Sequence, residues 1–260
     1  MKYNRTIENL KKNTFLFQQL VNRDFMQKYK RTVLGMFWSV LNPLLTLLVM
    51  RVIFTDFFGR NTAHYTIYLF SGNIVMSFFR EATNNGMTSL MNNSGIIQKI
   101  NVPKYLFLFS RNVSSFVNFL LTLGVYFIFC ILDGITFGPH MFALVFPVIC
   151  LTVLNIGVGM ILSAWYIFFR DTQYLYGVFL TLLNYLSVIF YTLDRYSPEV
   201  QRRFLLNPIY CIIKYFRTVV IDGTIPSLQF HFLCAGYALF FFVIGCIMYK
   251  KYNHKFVYYL

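Results

Sequence analysis

The chain of 260 residues is 57% hydrophobic and only 12% charged, about half the roughly 25% charged share usual in soluble domains, which excludes an ordinary soluble enzyme. Lys and Arg outnumber Asp and Glu by 23 to 9, a net charge of +14. These charges lie between long apolar runs, the arrangement of an all-α integral membrane protein.

In chain order, residues 1–32 form a polar segment in which Ile7, Leu10, Phe17, Val21 and Phe25 recur at helical spacing among cations. This predicts an amphipathic helix lying in the membrane interface. One reading is an anchor whose cations meet anionic lipid. A sharper one is a movable gate, with Arg23, Lys28, Lys30 and Arg31 around Tyr29 at a cytoplasmic mouth, attracting a phosphate-bearing lipid head group.

Residues 33–260 read as one transmembrane domain. A helical span needs about 20 apolar residues, and six stretches qualify: Val33 to Thr55, Tyr65 to Asn84, Tyr105 to Leu132, Met141 to Phe169, Tyr174 to Leu193 and Leu228 to Tyr249. They leave little chain for a separate globular domain, so soluble machinery must come from a partner. Between the second and third spans, Asn92-Asn93-Ser94-Gly95 punctuates the chain before a short amphipathic stub from Ile96 to Val102, within about 93–102. Between the fifth and sixth, Ser197-Pro198-Glu199 has the order of an N-cap, a first-turn proline and a first-turn acid, predicting a helix from Pro198 to about Leu206. Asn207-Pro208 starts a second, ending near Gly223, with Ile209, Ile212, Ile213, Phe216, Val219 and Val220 on one side and Lys214 and Arg217 on the other. The two predict an extracytoplasmic helix pair over about 198–223.

With an even number of spans both termini share a side. Placing them in the cytoplasm leaves fourteen Lys and Arg in inner segments against six in outer ones, so positive charge retained inside puts both ends in the cytoplasm. No cleavable signal peptide is read, and the first span is expected to serve as an uncleaved signal. The five cysteines contain no C-x-x-C pair and the four histidines are isolated, so no disulfide framework and no metal site are expected.

The run Lys28-Tyr29-Lys30, Leu34-Gly35-Met36-Phe37-Trp38 and Pro43 resembles the start of ABC-2 family polysaccharide exporter permeases, which move O-antigen, capsule or teichoic-acid polymers across the bacterial cytoplasmic membrane. In that family a basic-aromatic-basic pattern is followed by L-G-x-x-W and a proline early in the first span. Tyr68-Leu69-Phe70-Ser71-Gly72, Phe78-Phe79-Arg80-Glu81-Ala82 and Ile96 through Lys104 look like its second span and following loop. Phe169-Arg170-Asp171, Asn207-Pro208 and Tyr215-Phe216-Arg217 match later features, so the resemblance covers nearly the whole chain. Val75-Met76 stands where the family often has Pro-Trp, and Arg51 interrupts the first span.

The resemblance implies a homodimer of permeases, a lipid-linked glycan as cargo and two copies of a separate nucleotide-binding subunit that binds ATP and Mg. Consistently, the sequence has no phosphate loop, and no Gly is followed by Lys anywhere, so the chain is not expected to hydrolyse ATP or bind a cofactor. It also implies that the stub is a coupling helix inserting Ile96, Ile97 and Ile100 into a groove on the ATPase with Lys99 at the rim, helped by Arg170 and Asp171 in the next inner loop. The outer helices would close the pathway when it is empty. Aromatic residues make up 20% of the chain. Most suit lipid or its interface, but sugar C–H faces rest on rings, and Trp38, Tyr68, Phe78, Tyr126 and Tyr185 are candidates to line the path.

Other functions remain open at this point. An ABC-2 exporter of a drug or small lipid differs only in cargo. A secondary transporter needs intramembrane ionisable groups, for which Arg51, Arg80, Glu81 and Arg111 qualify, all toward span ends. A membrane transferase needs paired or metal-holding carboxylates, whereas the nine acids are scattered with no D-x-D. Partners expected are membrane lipid and protein, not nucleic acid.

Overall fold

Inside a bilayer every backbone N–H and C=O must be satisfied within the segment, so long apolar runs are driven to helix. The structure, a computed structural model, describes residues 2–29, 34–53, 64–100, 102–193, 196–253 and 255–259. Among them every regular element is helical: α1 (Lys2–Tyr29), α2 (Trp38–Arg51), α3 (Tyr65–Thr88), α4 (Ser94–Ile97), α5 (Tyr105–Leu132), α6 (Val145–Phe168), α7 (Thr172–Leu186), α8 (Pro198–Phe204), α9 (Pro208–Val220), α10 (Leu228–Tyr252) and α11 (Phe256–Tyr259).

Three stretches are long and apolar enough to cross a membrane: Tyr105–Leu132, Pro139–Phe168 and Leu228–Tyr252. The other expected spans differ in kind. The α2 helix is 14 residues long, and positions 33 and 54–55 of the expected span lie outside the described residues. The α3 helix has 24 residues but carries Asn73, Arg80, Glu81, Asn84 and Asn85. The α7 helix has 15 residues and stops at Leu186, well before the expected Leu193. There the chain turns through Val188, which takes φ +56.

That early stop has a physical cause far away in sequence. A helix end leaves carbonyls without partners, and here other elements supply donors. The Asn207 amide donates to Leu186 O (3.2 Å) and Ser187 Oγ (3.0 Å), while Arg217 donates to Val188 O (2.8 Å) and Ile189 O (3.2 Å).

The centre of the bundle is α6, which packs against α10, α3 and α5. Its contact with α10 is a backbone-to-backbone approach through Gly157 and Gly245. A Cβ on Gly157 would stand 2.5 Å from Phe242 N, so only glycine fits there. Meanwhile α10 turns Phe232, Leu239, Phe240, Val243 and Ile247 outward. An outer face this apolar requires lipid as its solvent, and the chain is an integral membrane protein.

At one end His64 Nδ1 meets Asp133 Oδ2 at 2.6 Å, tying the start of α3 to the end of α5. At the other, Lys104 Nζ donates to Asn253 O (2.5 Å) and Oδ1 (3.0 Å), joining the start of α5 to the end of α10. Partial burial draws that ammonium below the usual lysine range.

Candidate functional site

The α3 and α5 helices pack directly on each other, whereas α2 meets them over a smaller area. The three enclose a cavity of about 700 Å3, reached also by Asn184 of α7. Its wall departs from the apolar bundle around it. Asn42, Asn73, Asn118 and Asn184 contribute amides, and Ser39, Thr46, Ser77, Ser115 and Thr122 contribute hydroxyls. Trp38, Phe78 and Phe119 supply ring surface. Arg80 and Glu81 are the charged groups of the lining.

Helical periodicity explains how the wall is built. Asn73, Ser77, Arg80 and Glu81 recur every three or four residues along α3, and Ser115, Asn118 and Thr122 do so along α5, so each set forms one stripe facing the other. Contacts across the stripes fix the geometry. The Asn118 amide donates to Glu81 Oε1 (2.9 Å), Asn85 Nδ2 donates to Ser115 Oγ (3.0 Å), and the Phe78 ring stacks on Phe119 with centroids 4.5 Å apart. On the α7 side the Tyr176 hydroxyl donates to Thr83 Oγ1 at 2.6 Å. Such a surface, amides and hydroxyls beside aromatic faces with little net charge, is suited to a neutral polyhydroxylated ligand.

Of the five aromatic residues expected to line a path, Trp38 and Phe78 do meet at this cavity. The other three do not line it. The Tyr126 ring is fully buried, edge-on to Phe70. Tyr185 is exposed on α7. Tyr68 lies under Arg217, whose Cζ is 3.3 Å from the ring centroid.

Arg217 itself departs from the expected polar face of its helix. Lys214 is exposed, but Arg217 is buried. Its guanidinium donates to Val188 O, Ile189 O, Tyr68 O (3.1 Å) and Ser71 Oγ (3.3 Å). Gly72 makes room for it, since a Cβ there would lie 3.0 Å from Nη2. The fork thus joins α9, α3 and the chain after α7. The Asn207 side chain caps α9 by accepting from Ile209 N (2.9 Å) and Tyr210 N (3.4 Å). Ser197 stands at the N-cap of α8 but makes no side-chain cap bond.

The expected coupling stub is shorter and differently faced than its spacing suggests. Helix α4 ends at Ile97, so Lys99 and Ile100 lie beyond it. Ile97 is buried in this chain's own core with Leu20, Leu90, Phe107, Leu108 and Ile167, and Ile96 packs against the same cluster. Lys99 and Ile100 are exposed, as are Arg170 and Asp171 in the turn between α6 and α7, next to exposed Phe169 and Tyr174. Lys99, Ile100, Phe169, Arg170, Asp171 and Tyr174 are thus on the surface, while Ile97 fastens the segment from beneath.

A second contact holds α4 to the N-terminal helix, and nothing in the sequence periodicity signals it. The Asp24 carboxylate is buried between Arg23 (Nη2 to Oδ1, 2.8 Å) and Arg111 (Nε to Oδ2, 3.5 Å), and accepts from Ser110 Oγ (2.9 Å). The same Arg23 Nη2 donates to Asn93 Oδ1 at 2.8 Å. Arg23, expected at a phosphate-binding mouth, thus has an exposed side chain that is engaged by Asp24 and Asn93 of its own chain. Lys28 and Tyr29 belong to the last turn of α1, whereas Lys30 and Arg31 lie outside the described residues.

Among the described residues no group of three or more His, Cys, Asp or Glu is arranged to hold a metal ion. Comparison with known proteins adds the following. The family described as ABC-2 type transporter matches residues 15–221. An O-antigen export system permease protein RfbA of Klebsiella pneumoniae is 27% identical over 250 residues, covering 93% of this chain and 95% of that protein. The RfbA protein of Myxococcus xanthus is 25% identical over 231 residues, 86% of this chain and 87% of its own length. The capsule polysaccharide export inner-membrane protein CtrC of Neisseria meningitidis is 21% identical over 213 residues, with 81% and 80% covered.

Proposed function

The chain belongs to the ABC-2 type transporter family, and from that premise we propose that it is the permease subunit of an ATP-driven exporter moving a lipid-linked polysaccharide out across the bacterial cytoplasmic membrane. The observation that carries the cargo is the cavity: about 700 Å3 lined by amides, hydroxyls and rings, with Pro43, Met50, Ile74 and Met76 adding apolar surface. A drug or lipid exporter would gain from an apolar wall. The relatives named for O-antigen and capsule export support the same cargo class.

In this reading α2, α3, α5, α6, α7 and α10 are six spans, and α1 lies at the cytoplasmic interface with both termini inside. Two copies pair, each bringing its cavity to a common path, and two nucleotide-binding subunits dock beneath them. ATP and Mg act in those subunits. Docking falls on Lys99, Ile100 and the turn bearing Arg170 and Asp171. Because Arg23 links Asn93 to α1, force on the inner loop reaches the N-terminal helix and the cations at its end, Lys28, Lys30 and Arg31. At the other side α8 and α9, fastened by Arg217, close the path when no polymer fills it.

The test is co-expression with an ATPase subunit encoded beside it, purification through a tag on this chain, and ATP hydrolysis in lipid nanodiscs with and without lipid-linked oligosaccharide. A stoichiometric complex stimulated by the glycolipid is expected. A chain that purifies alone and shows no nucleotide-dependent activity in any pairing overturns the proposal.

A further inference from the structure

We propose that Arg80 is the anion-binding residue of the cavity, holding the phosphate or diphosphate of a lipid-borne substrate at its inner end. The inference rests on the export of a lipid-linked glycan read above, and gives that site its head-group chemistry.

Three other arginines near the core are already engaged. Arg217 has four acceptors and an aromatic ring beneath it, and Arg23 and Arg111 share Asp24. Arg80 differs from all three. It faces the cavity and is exposed, and among the described residues it has no ion pair and no side-chain hydrogen bond. The neighbouring acid forms no ion pair with it among the described residues, since consecutive helix positions point apart and Glu81 reaches Asn118 across the cavity. A guanidinium at membrane depth calls for a counter-charge, and apart from Glu81 the rest of the lining is neutral.

Depth narrows the ligand. Arg80 is fifteen residues from Tyr65, about 22 Å along the helix, and eight from Thr88, about 12 Å from the inner end. That is the level at which a lipid head group drawn into the cavity from the inner leaflet would rest. The planar fork of Arg matches phosphate oxygens in pairs. With the phosphate there, the neutral amide and hydroxyl stripes and the Trp38 and Phe78 rings lie beside it to receive sugar. The ligand class is therefore a polyisoprenyl phosphate or diphosphate carrying a glycan, and an ordinary anionic phospholipid is the competing source of the same chemistry.

Trp38 provides a reporter in the same wall. The chain has two tryptophans, and Trp165 lies exposed on α6, so Trp165→Phe leaves Trp38 alone. The full chain with this substitution would be placed in phosphatidylcholine nanodiscs and titrated with undecaprenyl diphosphate while Trp38 emission is read. A saturable change is expected, absent with the uncharged alcohol undecaprenol. Arg80→Gln should raise the half-saturating concentration at least about tenfold, a loss of about 1.4 kcal/mol, and Arg80→Lys should raise it less.

Equal titration by undecaprenol, or by wild-type and Arg80→Gln protein, overturns the proposal, and the alcohol comparison stands even where the variant fails to fold. An equally tight, Arg80-dependent response to phosphatidylglycerol also overturns it, by assigning the site to bulk lipid. Diphosphate binding that depends on Arg80 in a protein that exports no glycan would sink the cargo reading and leave the anion site standing.

Discussion

A carboxylate with no exposed surface must be paired, and Asp24 is paired on both sides, by Arg23 of its own helix and Arg111 of α5, with Ser110 donating a third contact. Removing one member of a fully buried pair costs about 3–5 kcal/mol, and the cost here is smaller because the cations left behind, Arg23 and Arg111, are 39% and 19% exposed and can be hydrated. Asp24→Asn is therefore expected to lower the thermal midpoint of the purified chain and to expose α1 to limited proteolysis. An unchanged midpoint and digestion pattern would mean that the apolar contacts of Leu16 and Leu20 suffice to hold the helix. Arg217 poses the complementary case, a buried cation satisfied almost wholly by carbonyl oxygen. Lysine would keep the charge but not the planar fork that reaches α3 and the 188–189 turn together while lying flat on Tyr68. Arg217→Lys should loosen the link between α9 and α3 and make the resting protein leaky, seen as ion conductance in planar bilayers. A bilayer as tight as with the wild type would reduce Arg217 to a packing residue.

Among the elements, the loop between α3 and α5 separates two environments that a spacing argument merges. Ile97 is buried in the chain's own core, and Ile100 three residues later is exposed. Ile97→Asp is accordingly expected to prevent accumulation of folded chain, since an unpaired carboxylate would enter a cluster that includes Phe107 and Leu108. Lys99→Glu with Ile100→Asp should leave the elution profile intact and remove the ATPase subunit from the purified complex. Undiminished co-purification of that double variant would move docking to the 169–174 turn. The contrast marks how far local pattern reaches. The bounds of α5 are legible to the residue, because Pro103 precedes it, Asp133-Gly134 follows it, and no proline lies within Tyr105–Leu132. The end of α7 is not legible, because the run stays apolar through Val188 and Ile189. It breaks where Asn207 and Arg217, about twenty to thirty residues on, capture the carbonyls released there, together with the Tyr65 and Tyr68 hydroxyls of α3. The buried face of Arg217 was hidden for the same reason: amphipathic spacing assigns a cation to water unless another helix offers it acceptors.

For the molecule as a whole, the cavity follows from a conflict between hydropathy and packing. Three long helices are apolar enough to lie in lipid on their own, and α6 and α10 lock together through glycine. The α3 helix cannot stand in lipid with Arg80, Glu81 and three asparagines, so it is enclosed. Part of its polar stripe meets α5 directly, and part is left facing a cavity. Sequence alone finds Trp38 and Phe78 but not the amides and hydroxyls beside them, since residues on three helices come together only in the fold. If that cavity is half of the conduit, filling it should stop cargo without disturbing assembly. Ser77 is exposed at its wall, one turn before Arg80, whereas Phe240 projects from α10 on the outer surface. Ser77→Phe is expected to cut glycan export at least about tenfold, since a barrier raised by 1.4 kcal/mol has that effect, while Phe240→Trp leaves export unchanged. The measurement is appearance of glycan at the cell surface, normalised to the amount of permease–ATPase complex recovered. Full export through Ser77→Phe would take the conduit out of this cavity and leave the cavity a lipid-binding niche.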